Sequence, residues 1–357
     1  SRNAPRSSRS GETTYSSSAS ANATMESSHR ASPRNAGSAA PRIGMNFDRG
    51  RWNDLHMRGP DPSGAWSQRV WSDGRFEYYD DPWGNVWRRM PGMSQKGEID
   101  RPALPDWSDL SKLRLPDFGD PARYRTAREA FARDTALYRV GFLPGFPFDI
   151  CRYLRKMEIY FQDLHLERSH VDRLHGMVTD LLEETIARWA EAGADAVMFG
   201  EDWGVQDRLL IGPEMWREIY KPLFARLCGA ARSRGLAVIM HSCGYVWDIL
   251  GDLAEVGVNA MQFDQPALYG LDRLSPRLRL LGLALHAPVD IQRVLPTGER
   301  ETIEEEARRM VALFEGRFIA KNYPDLHGIG VEEEWDQWAY AVFAEAAGNP
   351  REEPHHG

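Results

Sequence analysis

From about residue 138 onwards, short apolar runs alternate with stretches whose apolar residues recur at helical spacing. One helical stretch covers 169–192, and a second helix begins at Pro213 and ends before Gly235. The apolar runs are YRVGFLPG (138–145), DAVMFGED (195–202), LAVIMHSCG (236–244), NAMQFDQ (259–265), LLGLALHAPVD (280–290) and RFIAKNYPD (317–325). Strands that alternate with helices over short connections pair in parallel through right-handed crossovers. We therefore predict an α/β fold, either a barrel closed by eight such strands or a doubly wound open sheet.

The N-terminal part of the chain does not follow this rhythm. Residues 66–90 are rich in aromatic side chains and contain Asp-Gly and Pro-Trp-Gly turn signals, which is typical of β-hairpins. Residues 1–42 consist mainly of Ser, Ala, Arg and Asn, and hold too few large apolar side chains to form a core. We predict a disordered low-complexity tail over 1–42, with an organelle transit peptide as the alternative. A barrel over 43–348 and a C-terminal tail over 349–357 complete the organisation.

The composition restricts the class of protein. The 357 residues carry 44 Lys and Arg against 52 Asp and Glu, a net charge of −8. An acidic protein is a poor candidate for binding nucleic acid or an anionic membrane, and no apolar run approaches the roughly 18 residues of a membrane-spanning helix. The three cysteines, Cys151, Cys228 and Cys243, are odd in number and widely separated, which argues against a disulfide framework. We predict a soluble, cytoplasmic and globular protein.

Polar and acidic side chains follow most of the predicted strands. In a parallel barrel, the groups that do chemistry stand at the C-terminal ends of the strands. We expect the catalytic residues among four of these acids, although about half of all such residues only cap helices or face solvent. The four acids are Glu201, Asp202, Asp264 and Asp290.

His241 and Cys243 are two residues apart at a strand end, so both side chains point to the same side of the sheet. An imidazole nitrogen and a thiolate sulfur suit Zn²⁺, and a third ligand would come from Glu201, Asp264 or Asp325. A buried core histidine and cysteine are the alternative that the residues leave open. Cys151 and Cys228 are predicted to lie in the core. The histidines of the preceding helical region are predicted to lie at the surface, and these are His165, His170 and His175.

Three stretches resemble the uroporphyrinogen decarboxylase superfamily, which includes cobamide-dependent methyltransferases. They are residues 193–222 (GADAVMFGEDWGVQDRLLIGPEMWREIYKP), 238–266 (VIMHSCGYVWDILGDLAEVGVNAMQFDQP) and 287–298 (APVDIQRVLPTG). The resemblance covers about 43–347 and implies a (β/α)8 TIM-type barrel. Family members have a helix and a strand before the equivalent of residues 43–50, so we expect the barrel with or without its first βα portion.

In the methyltransferase branch, a zinc ion holds a substrate thiol as the thiolate that accepts a methyl group from a corrinoid. The resemblance implies that His241 and Cys243 are the first two zinc ligands. The branch usually has a further cysteine near the last strand, where this chain reads AKNYPDLHG (320–328). Asp325 is therefore our expected third ligand, with His327 as the alternative.

The resemblance leaves three functions open. The first is zinc-assisted methyl transfer between a corrinoid, or a methylated small molecule, and a thiol, with a corrinoid protein as a partner and a homodimer as a possible assembly. The second is uroporphyrinogen decarboxylation in porphyrin biosynthesis, although the arginine-rich segment and the pyrrole-binding aspartate of true decarboxylases are not found here. The third is a truncated barrel that binds a corrinoid or a partner without catalysis.

Overall fold

A computed structural model describes residues 43–48, 50–64, 66–92 and 97–348 of the chain. The predicted tails over 1–42 and 349–357 lie outside the described residues. Eight parallel strands form one sheet, and four antiparallel strands form a second sheet between the first two barrel strands and the third. The strands are β1 (Gly44–Asn46), β2 (Leu55–Arg58), β3 (Val70–Ser72), β4 (Glu77–Asp80), β5 (Val86–Arg89), β6 (Glu98–Arg101), β7 (Tyr138–Phe142), β8 (Ala196–Gly200), β9 (Ala237–His241), β10 (Ala260–Gln262), β11 (Ala284–Ala287) and β12 (Phe318–Lys321).

The parallel sheet runs in the order β1-β12-β11-β10-β9-β8-β7-β2. From β7 to β12, strands that follow one another along the chain are also neighbours in the sheet, which is typical of a barrel built from βα repeats. The ladder between β8 and β9 pairs Gly200 with His241, and the ladder between β9 and β10 pairs His241 with Gln262. The predicted TIM-type barrel is confirmed, and the open doubly wound alternative is excluded by this strand order.

The barrel is nearly closed where β1 and β2 meet. Among the described residues between these two strands, 47–48 and 50–54, there is no helix, and Asn53 forms an antiparallel bridge with Asn46. The amide of Asp54 donates to the carbonyl of Met45, and the Asp54 carboxylate accepts from the Met45 amide. The described residues thus contain all eight strands, and the part of the βα repeat that they lack is the first helix.

The last helix covers the turn that replaces this first helix. Phe47 packs edge-on against Tyr340, with 4.9 Å between the ring centroids. The Tyr340 hydroxyl accepts from the Trp52 amide at 3.1 Å, and the Arg51 guanidinium pairs with buried Asp336 at 2.7 Å. The N-terminal strand and the C-terminal helix therefore hold each other in place.

The helices surround the barrel and agree with the sequence pattern, with one difference. The stretch from Pro213 is divided at Tyr220, because Pro222 has no N–H with which to continue the helical hydrogen bonds. The helices are α1 (Arg125–Arg133), α2 (Pro147–Arg155), α3 (Met157–Leu166), α4 (Arg168–Glu191), α5 (Pro213–Ile219), α6 (Lys221–Ser233), α7 (Leu250–Val256), α8 (Leu271–Leu281), α9 (Arg300–Leu313) and α10 (Glu333–Ala346). Within the described residues, no helix is both long and apolar enough to cross a membrane.

Two separate apolar clusters hold the barrel together. The larger lies between the sheet and the helices and includes Val197, Phe199, Val238 and Met240. The smaller fills the inside of the barrel, which we call the bore, since its members alternate along the strands with those of the larger cluster. The bore cluster consists of Leu55, Val140, Ala196, Met198, Ile239 and Ala260, with Met57, Ala237, Ala284 and Ile319 packed against it.

The antiparallel sheet contains strands β3 to β6 in sequence order. Asp81 organises its central turn, because its carboxylate accepts from the amides of Trp83 and Asn85 and from the side chains of Asn85 and Trp87. The predicted hairpins over 66–90 are confirmed. We refer to this sheet as the β3–β6 insert.

Candidate functional site

The bore changes from apolar to polar at the C-terminal ends of five neighbouring strands. In each of these strands, an apolar residue or a glycine is followed two positions later by a polar residue, whose side chain lies on the same face. The replacements are Ile239 to His241, Ala260 to Gln262, Ala284 to His286, Ile319 to Lys321 and Gly44 to Asn46. We call these five polar residues the mouth layer.

Asp202 and Cys243 come together with His241 of this layer. Each offers one ligand atom, and the three atoms all lie within 4.8 Å of one another. The Cys243 Sγ atom is 3.4 Å from Nε2 of His241, and that nitrogen is 3.5 Å from Oδ1 of Asp202. Among the described residues, this is the one group of three or more potential ligands at such distances.

The loops that carry Asp202 and Cys243 are joined by hydrogen bonds from backbone amides to side-chain oxygens. The Cys243 amide donates to Asp202 Oδ1 at 2.8 Å, and the Trp203 amide donates to Ser242 Oγ at 3.1 Å. Gly204 and Gly244 touch so closely that a Cβ on Gly244, which has φ +74°, would lie 2.1 Å from the Gly204 carbonyl oxygen. Any side chain at either glycine would push the two loops apart, and with them Asp202 and Cys243.

The observed separations fit a metal ion of zinc's size. With Zn–N and Zn–O near 2.0–2.1 Å and Zn–S near 2.3 Å, tetrahedral ligands lie about 3.4–3.6 Å apart. The measured 3.4 Å and 3.5 Å match these values. A nitrogen, a sulfur and an oxygen donor also form a ligand set that zinc accepts.

The electrostatics at the mouth favour a cation. Burial, with the nearby carboxylates of Asp202 and Asp264, raises the pKa of the Cys243 thiol far above its usual value. A positive ion between these groups would reverse that shift, since it neutralises the carboxylates and binds the thiolate directly. The carboxylates around Cys243 therefore give this site an excess of negative charge.

Asp264 and Lys321 form a buried ion pair next to His241. The Lys321 ammonium lies 2.7 Å from Asp264 Oδ1, and Gln262 Nε2 donates to the same oxygen at 2.7 Å. Burial alone would raise the pKa of Asp264, but Lys321 and His241 more than offset it, and the pKa is lowered. The other oxygen, Oδ2, faces Nδ1 of His241 at 4.0 Å. Asp264 thus stays ionised beside the histidine.

His286 lies at the centre of the mouth layer and is fully buried. Its Nε2 atom is 2.9 Å from the Asn46 side-chain amide. Burial and the neighbouring Lys321 lower the pKa of His286 to about 3, so the ring is neutral. Within the described residues, Nδ1 of His286 and Nδ1 of His241 have no hydrogen-bond partner, and both are polar atoms that a bound molecule or water can satisfy.

The structure brings Asp202, His241, Cys243 and Asp264 together, as the strand-end argument predicted, but it places Glu201 and Asp290 elsewhere. Glu201 is fully buried, and its carboxylate accepts from the amides of Phe148 and Asp149 and from the Trp203 indole. Burial raises its pKa well above the usual range. Asp290 accepts from three backbone amides, those of Ala267, Gln292 and Arg293. These contacts are structural, and a catalytic role for either acid stays a prediction.

Asp325, the expected third zinc ligand, is not part of the ligand group. Its carboxylate accepts from the Gly328 amide at 3.0 Å, and Asp202 lies beside His241 and Cys243 instead. Asp325 as a zinc ligand stays a prediction, and the geometry of the described residues favours Asp202 for the third position. The reason is that the Asp202 loop is bonded to the Cys243 loop, whereas the sequence alone does not show which strand ends are neighbours.

Sequence reasoning missed Lys321, Gln262, His286 and Asn46. All four lie within strands, whereas the predicted catalytic acids all follow strands. The available signal is the alternation itself, since a polar residue two positions after an inward apolar one faces the same bore.

The remaining predictions concern single cysteines and histidines. Cys151 and Cys228 are buried, as predicted. His165 is exposed, but the predicted surface position of His175 is wrong, because its ring is 2% exposed and lies 2.6 Å from the Tyr160 hydroxyl. Burial lowers the pKa of His175 to about 4.

A cleft of about 390 Å³ opens beside the ligand group. It lies between the β3–β6 insert and the loop after β7, and Gly200 forms part of its wall. Gly200 also borders the ligand group, because a Cβ at this position would lie 3.5 Å from Cδ2 of His241. Its lining residues are Tyr79, Asp81, Pro82, Trp83, Asn85, Trp87, Leu143, Pro144, Gly145, Asp149, Ile150, Tyr153 and Gly200.

The family model of uroporphyrinogen decarboxylase (URO-D) matches residues 90–324, which is well over half of the chain. The chain belongs to the uroporphyrinogen decarboxylase family. The match contains all three residues of the ligand group and strands β7 to β12. No curated protein matches the chain.

Solved structures resemble this family member in fold. A methyltransferase from Methanosarcina mazei is similar with a TM-score of 0.55 and 15% sequence identity, covering 70% of this chain and 72% of that one. A D-psicose 3-epimerase, solved in the presence of D-fructose, has a TM-score of 0.40 and 12% identity, covering 67% of this chain and 86% of that one. At such identities the likeness concerns the fold alone.

Proposed function

We propose that the protein is a methyltransferase that transfers a methyl group to a thiol, with zinc held by Asp202, His241 and Cys243. The observation that carries the proposal is the cluster of one oxygen, one nitrogen and one sulfur donor at zinc-like separations. When bound there, zinc would stabilise a substrate thiol as the thiolate, the nucleophile that attacks a methyl group. Catalytic zinc sites commonly have three protein ligands and a fourth, open position.

The neighbouring residues orient the histidine ligand. Asp264 Oδ2 lies 4.0 Å from Nδ1 of His241, beyond hydrogen-bond distance, and its negative charge favours the tautomer with the proton on that nitrogen. The lone pair is then on Nε2, the nitrogen that faces Cys243 and Asp202. Lys321 keeps Asp264 ionised by pairing with its other oxygen. In this arrangement Lys321 and Asp264 are positioning residues.

The source of the methyl group is proposed to be a corrinoid, supplied by a partner protein, or a methylated small molecule. The fold of the Methanosarcina mazei methyltransferase is similar, which is compatible with this branch of the family. We also propose a cytoplasmic location and a homodimer, as expected from the sequence.

Metal analysis of the purified protein tests the proposal. We expect about one zinc per chain in the wild type and loss of at least tenfold in zinc affinity when one ligand is removed. Asp202→Ala and the double variant His241→Ala, Cys243→Ala should lose zinc, whereas Asp325→Ala is the matched control and should retain it. A wild-type protein without zinc after growth in zinc-supplemented medium, or a double variant that keeps it, would contradict the proposal. Zinc retained by Asp202→Ala but lost from Asp325→Ala would restore Asp325 as the third ligand.

The second candidate is decarboxylation of a porphyrinogen-like tetrapyrrole, which the family match favours. The charged residues that line the cleft, Asp81 and Asp149, are both acidic, and they would repel the carboxylates of such a substrate. Turnover of uroporphyrinogen that survives in the His241→Ala, Cys243→Ala variant would favour decarboxylation over methyl transfer. A folded, zinc-loaded protein without either activity would favour a binding role.

A further inference from the structure

Glu201 is a buried acid that directly precedes Asp202 in the chain, and its carboxylate holds the start of α2. Its Oε1 atom accepts from the Phe148 amide at 2.7 Å and from the Asp149 amide at 3.3 Å. An α-helix usually obtains this cap from a Ser, Thr, Asp or Asn side chain at its own N-terminus. Here the N-cap residue is Phe146, which offers no side-chain hydrogen bond. The loop after β8 therefore supplies the cap of α2 from 53 residues further along the chain.

Capping alone does not require a carboxyl group at this buried position. Glu201 is 0% exposed, and no lysine or arginine of the described residues is among the donors to its carboxylate. Burial, together with the Asp149 carboxylate nearby, raises the pKa of Glu201 well above its usual range. A carboxylate in such surroundings costs free energy, whereas a neutral amide side chain has an oxygen that could accept from the same backbone amides. What a neutral cap lacks is the second oxygen of Glu201.

The second oxygen, Oε2, joins Glu201 to Trp203, two residues further along the chain. It accepts from the Trp203 indole at 2.8 Å. The Trp203 side chain is fully buried, stacks on the Phe148 ring with 4.1 Å between the centroids, and meets the Tyr220 ring edge-on at 4.5 Å. The two neighbours of Asp202 are thus bonded to each other and packed into the body of the protein, which leaves the backbone of Asp202 little freedom to move.

We propose that Glu201 is a positioning residue that fixes the carboxylate of Asp202 at the metal site. The hydrogen bond to Trp203 transmits the constraint, and the two amides of α2 hold Glu201 itself in place. The role of Asp202 as a zinc ligand rests on the proposed function, whereas its fixed position does not require a metal. If Glu201 served α2 alone, its removal would destabilise that helix and leave the metal site unchanged.

Zinc affinity, measured by competition with a chromophoric chelator, tests the proposal. Glu201→Gln keeps the shape of the side chain but replaces one oxygen by an NH2 group, which opposes either the α2 amides or the Trp203 indole. We expect zinc binding to weaken about tenfold or more. The matched control is Asp163→Asn, which removes a buried carboxylate that pairs at 2.8 Å with Arg155, the last residue of α2. It disturbs the same helix from its other end and should leave zinc affinity within about twofold of the wild type. Wild-type affinity in folded Glu201→Gln, or an equal loss in both variants, would overturn the proposal.

Trp203→Phe tests the hydrogen bond that transmits the constraint, and it decides the question if melting curves show that Glu201→Gln does not fold. This variant removes the indole N–H and keeps an aromatic ring against Phe148 and Tyr220. We expect zinc binding to weaken about tenfold or more. The double variant with Glu201→Gln should bind zinc about as weakly as either single variant, because both substitutions break the same hydrogen bond. Wild-type affinity in Trp203→Phe, or a double loss equal to the product of the single losses, would overturn the proposal.

A measurement on the metal-free protein separates this proposal from the proposed function. The Cys243 amide donates to Asp202 Oδ1 at 2.8 Å, so its NMR signal reports the position of that carboxylate. Labelling with ¹⁵N-cysteine gives three amide signals, since the chain has three cysteines. In Glu201→Gln, the Cys243 amide should exchange with solvent about tenfold faster or more, and the amide of Cys228 should be unchanged. A wild-type protein that binds no zinc contradicts the proposed function alone, whereas an unchanged Cys243 signal in folded Glu201→Gln contradicts the positioning role alone.

Discussion

The bore of this barrel has an apolar part and a polar part, and the change from one to the other occurs within two residues along the same strands. Its lower part is filled by apolar side chains such as Val140, Ile239 and Ala260. Its mouth is polar over five neighbouring strands and presents His241, Gln262, His286, Lys321 and Asn46. The lower part stabilises the protein by excluding water, whereas the mouth layer needs a partner for nearly every polar atom.

Polar side chains are unevenly distributed around the mouth. Strands β9 to β12 and β1 supply polar side chains, whereas β8 ends in Gly200 and leaves an opening toward the aromatic cleft. The opening at Gly200 and the first polar residue, His241, thus lie on neighbouring strands of one ring. The comparison teaches that the residue at the last inward position of a strand decides whether the strand end supplies a polar group, as at His241, or leaves space, as at Gly200.

The largest effect is expected from breaking the ion pair of the mouth layer. Lys321→Met leaves Asp264 buried without its cation and should cost about 3 kcal/mol or more in the free energy of unfolding. Urea denaturation measures this cost. The matched control is Lys112→Met, which removes an exposed lysine paired with Asp109 at 2.8 Å and should leave the free energy unchanged. A Lys321→Met protein as stable as the wild type would show that the mouth layer tolerates an unpaired carboxylate.

A polar side chain placed one layer deeper in the bore tests the boundary between its apolar part and its polar mouth. Ile239→Asn places an amide among Val140, Ala196 and Ala260, where no partner is available in the bore cluster. We expect a loss of about 3 kcal/mol in stability. His241→Asn, two residues further along the same strand, should cost less than about 1 kcal/mol while removing the zinc ligand. Similar costs at both positions would contradict the two-part description.

The third prediction concerns the contact that joins the loops above the mouth. Gly244→Ala places a Cβ 2.1 Å from a carbonyl oxygen at a positive φ, and we expect a loss of about 2–3 kcal/mol together with weaker zinc binding. Gly212→Ala is the control, because its Cβ meets nothing within 4 Å and its φ is −60°. If Gly244→Ala keeps both zinc and stability, the two loops do not need their close contact.

The smallest effect concerns a buried imidazole outside the bore. His175 is neutral in the folded protein because burial lowers its pKa to about 4, while an unfolded histidine has a pKa of about 6.5. Below that value the unfolded chain binds more protons, so stability falls as the pH decreases, by about 2 kcal/mol per such group from pH 7 to pH 5. His175→Gln should reduce this loss, and His165→Gln, at an exposed position, should not. Denaturation curves at both pH values measure the difference.

Much of the fold could be predicted from the sequence. The six apolar runs from 138 onwards correspond to β7 to β12, because parallel strands covered on both faces are continuously apolar. Strands β1 and β2 were not visible as barrel strands, since GMN and LHMR are short and partly polar. Only the pairing with β12 and β7 shows that they complete the barrel.

The candidate site was predicted less completely. His241 and Cys243 followed from their spacing on one strand, and Asp202 and Asp264 from their positions after strands. Glu201 follows a strand equally well, yet it points away from the bore and accepts from backbone amides at the start of α2. Adjacent residues such as Glu201 and Asp202 face different surroundings, and local sequence does not reveal which of them faces the mouth.

The turn that replaces the first helix has a consequence for biosynthesis. The strand that begins the ring pairs with the strand that ends it, and Tyr340 and Asp336 of the final helix cover the turn. A nascent chain on the ribosome therefore cannot complete the ring until β12 has emerged from the exit tunnel, and the turn stays uncovered until the helix after β12 follows. Until then, Phe47 and the first strand remain uncovered, and this is the interval in which a chaperone would have most to bind.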